Sequence, residues 1–126
     1  MFRNIKQRLA IKSYVMKLSL ELFSRFGKKH NYTIDQVTQT VQRAGLETAY
    51  LAFAHALFCS RSDFRRYYKP LKVRCTYEGL RAKVSCLYFG GVRDFDAENV
   101  IDAVHSLDIK DQFSESGEGF FGVFAH

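Results

Sequence analysis

Apolar residues in the first 26 positions recur at helical spacing, which predicts a long N-terminal helix from about 2 to 26. Arg8 and Lys12 lie between two apolar stripes, where long cationic side chains can reach outward to water. We therefore expect a wide apolar face that contacts a neighbouring helix and a sheet. One stripe consists of Ile11, Val15, Leu18, Leu22 and Phe26, and the other of Phe2, Ile5, Leu9, Met16, Leu20 and Phe23.

Two further helices are predicted at 34–44 and 46–59. Thr33 and Gln36 have the spacing of a capping box, in which each side chain bonds the backbone N–H of the other residue. Gly45 interrupts the pattern, and the segment that follows it is apolar on all sides, which is typical of a central, buried helix. A short helical turn with Ser62 as its N-cap is expected to follow.

Strict alternation of apolar and polar residues begins at Leu71 and predicts a β-hairpin with strands 71–77 and 80–89. Glu78 and Gly79 would form its two-residue loop. A helix at about 96–107 follows, and 119–125 is a possible C-terminal strand. The predicted fold class is α+β, with N-terminal helices on a small antiparallel sheet in a single domain, 1–126.

Composition adds limits on the class of protein. With 47% apolar residues in 126, the chain is long enough for one sizeable core. It has no stretch that could cross a membrane and no signal-peptide pattern, so we expect a cytoplasmic protein. Three cysteines without metal-ligand spacing give neither a disulfide framework nor a zinc site, and we expect no cofactor and no metal.

Charge is divided unevenly along the chain. Residues 1–83 carry 17 Lys and Arg against 5 Asp and Glu, whereas residues 84–126 carry 2 against 8. This asymmetry indicates an anionic partner, such as nucleic acid or an acidic protein, or charge pairing within or between chains. A homodimer with basic-to-acidic contacts is one form that such pairing could take.

Basic residues interleaved with aromatics precede the predicted hairpin and continue onto one of its faces. Within the hairpin, Arg74 would stand opposite Lys83, a like-charge pair that an anion would relieve. Single-stranded nucleic acid is bound by this combination of rings and cations, although the acidic C-terminal part could equally neutralise the face. The candidate nucleic-acid or anion site is Arg65, Arg66, Lys69, Lys72, Arg74, Arg81 and Lys83.

The C-terminus holds a second candidate surface. Phe120, Phe121 and Phe124 follow a glycine-rich acidic stretch, and this aromatic segment is predicted to bind a partner, such as a second subunit. His55 and Cys59, four residues apart on the central helix, are the only arrangement that suggests an enzyme, and a buried structural pair is the simpler interpretation. No catalytic residues are assigned.

The segment from Tyr32 to Val37, followed by the apolar helix from Tyr50 to Cys59, resembles short bacterial proteins of unknown function. That resemblance implies no site residue. We therefore expect a small, non-catalytic interaction or regulatory protein that self-associates. Nucleic-acid binding is the alternative, and an enzyme of unrecognised type is the third.

Overall fold

The computed structural model describes residues 2–72, 75–92 and 94–107. Helices are the only regular elements in these ranges, so the predicted α+β fold is wrong and the described chain is all helical. The helices are α1 (Phe2–Ser13), α2 (Ser19–Phe26), α3 (Ile34–Arg43), α4 (Leu51–Phe58), α5 (Arg61–Tyr68), α6 (Tyr77–Tyr88) and α7 (Ala97–Leu107).

The long N-terminal helix is present, with a π-helical turn at Tyr14–Leu18 that joins α1 to α2. Within this turn the backbone hydrogen bonds shift by one residue, and Ser19 Oγ donates to the Val15 carbonyl at 2.6 Å. Gly27, at φ +80°, ends α2. The two apolar stripes differ in their environment, because the first lies in the core while Ile5, Leu9 and Phe23 of the second are exposed.

The α3 helix begins and ends as its sequence predicts. The Thr33–Gln36 capping box is formed, with N···O distances of 3.0 and 3.1 Å. At the other end, Gly45 at φ +70° allows a Schellman motif, in which the Leu46 N–H bonds the Val41 carbonyl and the Gly45 N–H bonds the Gln42 carbonyl. That motif and the turn after it delay α4, which starts at Leu51 rather than at residue 46.

The predicted hairpin is replaced by α6, a helix that covers the expected loop and most of the second strand. Thr76 is its N-cap and accepts a hydrogen bond from the Gly79 N–H at 3.0 Å. Leu80, Val84 and Tyr88 satisfy helical spacing as well as alternation, so a single sequence fits both periods. The helix is favoured because its inner face packs on α4, which is apolar on all sides.

The last described helix, α7, begins within one residue of its predicted start. Asp96 and Asn99 exchange hydrogen bonds between side chain and backbone at 2.9 Å and cap its N-terminus. The backbone N–H of Ala97 also bonds the His30 carbonyl at 3.0 Å, which ties α7 to the loop between α2 and α3. The predicted strand at 119–125 lies outside the described residues.

The core is formed by the inner faces of these helices around α4. Leu57, Phe58 and Val41 are fully buried there, together with Leu18 and Leu22 of the N-terminal helix. The short α5 helix is capped by Ser60, whose Oγ accepts from the Asp63 N–H at 3.1 Å, and not by Ser62 as predicted.

Candidate functional site

The basic residues predicted to form one anion-binding face do not share a face among the described residues. Arg81 is buried on the inner side of α6, where it donates hydrogen bonds to the carbonyls of Ala56 (2.9 Å) and Phe95. Lys83, two residues further along the same helix, points to solvent. The predicted opposition of Arg74 and Lys83 required the hairpin, and Arg74 lies outside the described residues.

The cations of α5 are largely engaged by nearby carboxylates. Arg61 and Arg65 both contact Glu78 Oε2, at 2.9 and 3.2 Å, and Arg66 lies 3.6 Å from Asp63. Arg65 and Glu78 also line a cleft of about 360 Å³ between α5 and the start of α6. Lys69 and Lys72 are exposed, and within the described ranges they have no acidic partner.

His55 forms a buried polar cluster with Thr38 and Tyr68. Its Nε2 lies 2.8 Å from Thr38 Oγ1, and its Nδ1 lies 2.6 Å from the Tyr68 hydroxyl. Because the Thr38 hydroxyl donates to the Ile34 carbonyl, Nε2 carries the ring proton and Nδ1 accepts from Tyr68. Burial lowers the pKa of His55 to about 4, so the ring is neutral at physiological pH.

This arrangement leaves His55 unable to activate Cys59. Both ring nitrogens are already bonded to other side chains, and burial raises the pKa of the Cys59 thiol. A thiol kept protonated is a poor nucleophile. The two residues are part of the core, where a buried polar group needs a hydrogen bond to offset the cost of its desolvation.

A surface cluster joins His30 to Asp96 and Glu98 at the start of α7. His30 Nδ1 lies 2.8 Å from an Asp96 oxygen and 3.1 Å from a Glu98 oxygen. The hydrogen bond to Asp96, followed by the charge of Glu98, raises the pKa of His30. These are residue types that bind metals, and the contacts that the structure shows among them are the two from His30 Nδ1 to the carboxylates. A second ion pair joins the same loop to α7, because Lys28 Nζ lies 2.7 Å from an Asp102 oxygen. The acidic residues of α7 thus pair with a basic loop of their own chain.

The N-terminal half of α1 carries a different kind of surface. Ile5 and Leu9 are 49% and 60% exposed, and they lie beside the exposed cations Lys6, Arg8 and Lys12. None of these cations has a carboxylate partner within the described chain. We call these five residues the α1 surface.

A groove of about 500 Å³ runs along one edge of the α1 surface. Lys6, Leu9 and Ser13 form one wall, and the turn before α4, including Tyr50, forms the other. The turn is held close to α1 because the Tyr14 hydroxyl donates to the Glu47 carbonyl. The volume of the groove lies within the range typical of ligand sites, and its walls combine aliphatic, aromatic and charged groups, the charged ones being Lys6 and Glu47.

Sequence reasoning missed the α1 surface because both apolar stripes were expected to be buried. Arg8 and Lys12 were the available signal, since two cations within a supposed apolar face indicate that part of that face meets water. The N-terminal half of the helix extends beyond its core contacts, and Ala10 is the first described residue that is buried.

The predicted partner-binding residues Phe120, Phe121 and Phe124 lie outside the described residues. No described helix has the length and apolar character that crossing a bilayer requires. Neither the curated proteins nor the solved structures include a match to this chain. A model of a family of unknown function, DUF6559, matches residues 2–121, and the chain therefore belongs to that family.

Proposed function

We propose that this chain is a non-catalytic interaction protein that binds an acidic polypeptide segment with large apolar side chains. The observation that carries the proposal is the exposure of Ile5 and Leu9 among three unpaired cations on α1. Elsewhere many cations have partners: His30 and Lys28 bind α7, and Arg65 binds Glu78. The binding surface is thus the α1 surface with its adjoining groove.

The energetics favour a partner with both charge and apolar groups. Covering the exposed parts of Ile5 and Leu9 contributes about 1 kcal/mol for each side chain, from the usual value for burying apolar area. Carboxylates of the partner opposite Lys6, Arg8 and Lys12 fix the orientation of the partner and raise the association rate, and salt reduces this increase. Neither contribution alone gives a specific complex, whereas an acidic segment with aromatic or aliphatic residues supplies both.

Nucleic-acid binding remains a separate prediction with less support. Single-stranded nucleic acid is held by aromatic rings that stack on bases, but the exposed apolar groups of the α1 surface are aliphatic. The aromatic and basic residues of α5 include one exposed ring, Tyr67, yet Arg65 and Arg66 are paired with carboxylates. The described cations of that predicted site that are both exposed and unpaired are Lys69, Lys72 and Lys83, and Lys83 lies on α6 rather than in the turn after α5.

Self-association and a cytoplasmic location also stay predictions. Three free cysteines suit a reducing compartment. A homodimer would show a mass of twice 14.6 kDa in light scattering, and it would place the acidic residues of one copy within reach of the α1 surface of another.

The test is equilibrium binding of a fluorescent peptide that alternates Glu with Phe and Leu. We expect K6E/K12E to weaken its binding at least tenfold, because two attractive contacts become repulsive, a change of about 1.4 kcal/mol or more. The matched control is K69E/K72E, which makes the same change in net charge on exposed, unpaired cations of the turn that follows α5. We expect it to retain the wild-type affinity within about twofold. L9S, which keeps the charge, should also weaken binding.

Two outcomes would contradict the proposal. An equal loss of peptide affinity in K6E/K12E and K69E/K72E would show that the peptide is attracted by the net charge of the protein and not by a specific site. Binding of a mixed-sequence oligonucleotide that is lost in K69E/K72E, with no peptide binding, would transfer the function to nucleic acid at α5.

A further inference from the structure

The chain itself contains a segment with the chemistry that the α1 surface fits. Residues 108–126 include four acidic residues, one lysine and four phenylalanines. This combination of carboxylates and large apolar rings matches the cations and exposed aliphatic groups of α1. The matching family model runs through residue 121, so most of the segment belongs to the region that defines the family.

The packing of α7 directs the chain towards α1. Asp102 contacts Lys28, and further along α7 the His105 ring meets the Phe23 ring at 5.1 Å. Residue numbers therefore increase along α7 while those of the contacted residues decrease towards α2, so the two helices are antiparallel. The α7 helix also contacts the π-helical turn at Tyr14–Leu18. The backbone therefore leaves Leu107 in the direction of the N-terminal half of α1.

The distance is short for the length of chain that follows. From the level of Phe23 to that of Leu9 is 14 residues of helix, about 21 Å at the usual helical rise. An extended chain covers this in roughly six or seven residues. Residues 108–126 number 19, so an extended chain that leaves Leu107 is long enough to reach the level of Leu9 within its first half.

We propose that residues 108–126 bind the α1 surface of the same molecule and compete there with an external acidic partner. This inference rests on the proposed function, since it names the regulator of the same surface. Binding within one molecule is favoured over binding to a second copy because a short connection gives an effective concentration in the millimolar range. The acidic segment then acts as an internal competitor whose strength depends on its charge.

The first experiment measures the affinity of the full chain for the Glu/Phe/Leu peptide after neutralising part of the segment. We expect E115Q/E118Q to bind the peptide roughly tenfold more tightly, because the internal competitor is weakened. The matched control is E21Q/D35N, which makes the same change in net charge at exposed acidic residues of α2 and α3. It should shift the affinity by no more than about twofold. Equal affinities in the two variants would overturn the inference.

The second experiment locates the segment by carbodiimide coupling of carboxylates to lysine amines in dilute full-length protein. We expect amide links from Lys6 or Lys12 to acidic residues of 108–126 within monomers. Links confined to the dimer band would show that the segment binds a second copy, which would overturn binding within one molecule. Monomers without such links would also overturn it.

The two proposals fail differently. If the peptide binds wild-type protein at α1 but E115Q/E118Q changes nothing, only the internal competition is wrong. If neither wild type nor E115Q/E118Q binds the peptide, the proposed function itself is wrong.

Discussion

At the scale of single residues, burial decides the chemistry of the groups that could have been reactive. His55 has both ring nitrogens bonded, to Tyr68 and Thr38, and it lies fully buried in α4. The same spacing from His55 to Cys59 on an exposed helix could have placed an imidazole beside a thiolate. Here the apolar surroundings keep both groups neutral, and the pair stabilises the core.

The lowered pKa of His55 predicts a pH dependence of stability. The unfolded state, with a histidine pKa near 6.5, binds more protons than the folded state, in which the pKa is about 4. The free energy of unfolding should therefore rise with pH across this window and level off above it. The contribution of His55 is on the order of 3 kcal/mol, since one pKa unit corresponds to about 1.4 kcal/mol.

Ring NMR titration of the folded protein measures this pKa, with H55Q identifying the His55 signal. His30 gives an internal contrast, because its raised pKa has the opposite sign and its contribution to stability is lost as pH rises. A His55 signal that titrates near 6.5 would contradict the buried, bonded geometry.

At the scale of elements, the sequence predicts helices well where cap and periodicity agree. Thr33 with Gln36, Gly27 and Gly45 each mark a boundary that the structure confirms. The segment after Leu71 could not be assigned in this way, because Leu80, Val84 and Tyr88 fit periods of both 2 and 3.6. The contact with α4 favours the helix, and the local sequence pattern gives no information about that contact. That wrong assignment also produced the predicted basic face.

Arg81 and Lys83 distinguish the helix from the hairpin. On a strand they would share one face and respond alike to substitution, whereas on α6 one is buried and the other is exposed. We expect R81A to lower the free energy of unfolding by about 3 kcal/mol, because two buried carbonyls lose their donor and the Tyr77 and Phe95 rings lose a packed guanidinium. K83A should change it by less than about 0.5 kcal/mol.

Urea unfolding of both variants measures the difference. Equal, small effects would place Arg81 on the surface and contradict the α6 assignment.

At the scale of the whole molecule, the charged side chains form ion pairs around α7 but remain unpaired on the α1 surface. Carboxylates at the start and in the middle of α7 pair with His30 and Lys28, so part of the asymmetry seen in the sequence is resolved within the chain. Lys6, Arg8 and Lys12 of α1 have no such partner among the described residues, and the exposed Ile5 and Leu9 lie beside them. The asymmetry could be predicted from the sequence, but which cations remain unpaired depends on the packing of α7 against α2.

The most direct measurement is a backbone amide chemical-shift map of the isotope-labelled full chain, titrated with the Glu/Phe/Leu peptide. We expect the largest shift changes on residues 5–12 of α1 and on the turn at 46–50, and only small changes on residues 65–72. Changes centred on 65–72, or spread evenly over all exposed cations, would contradict a binding site on the α1 surface.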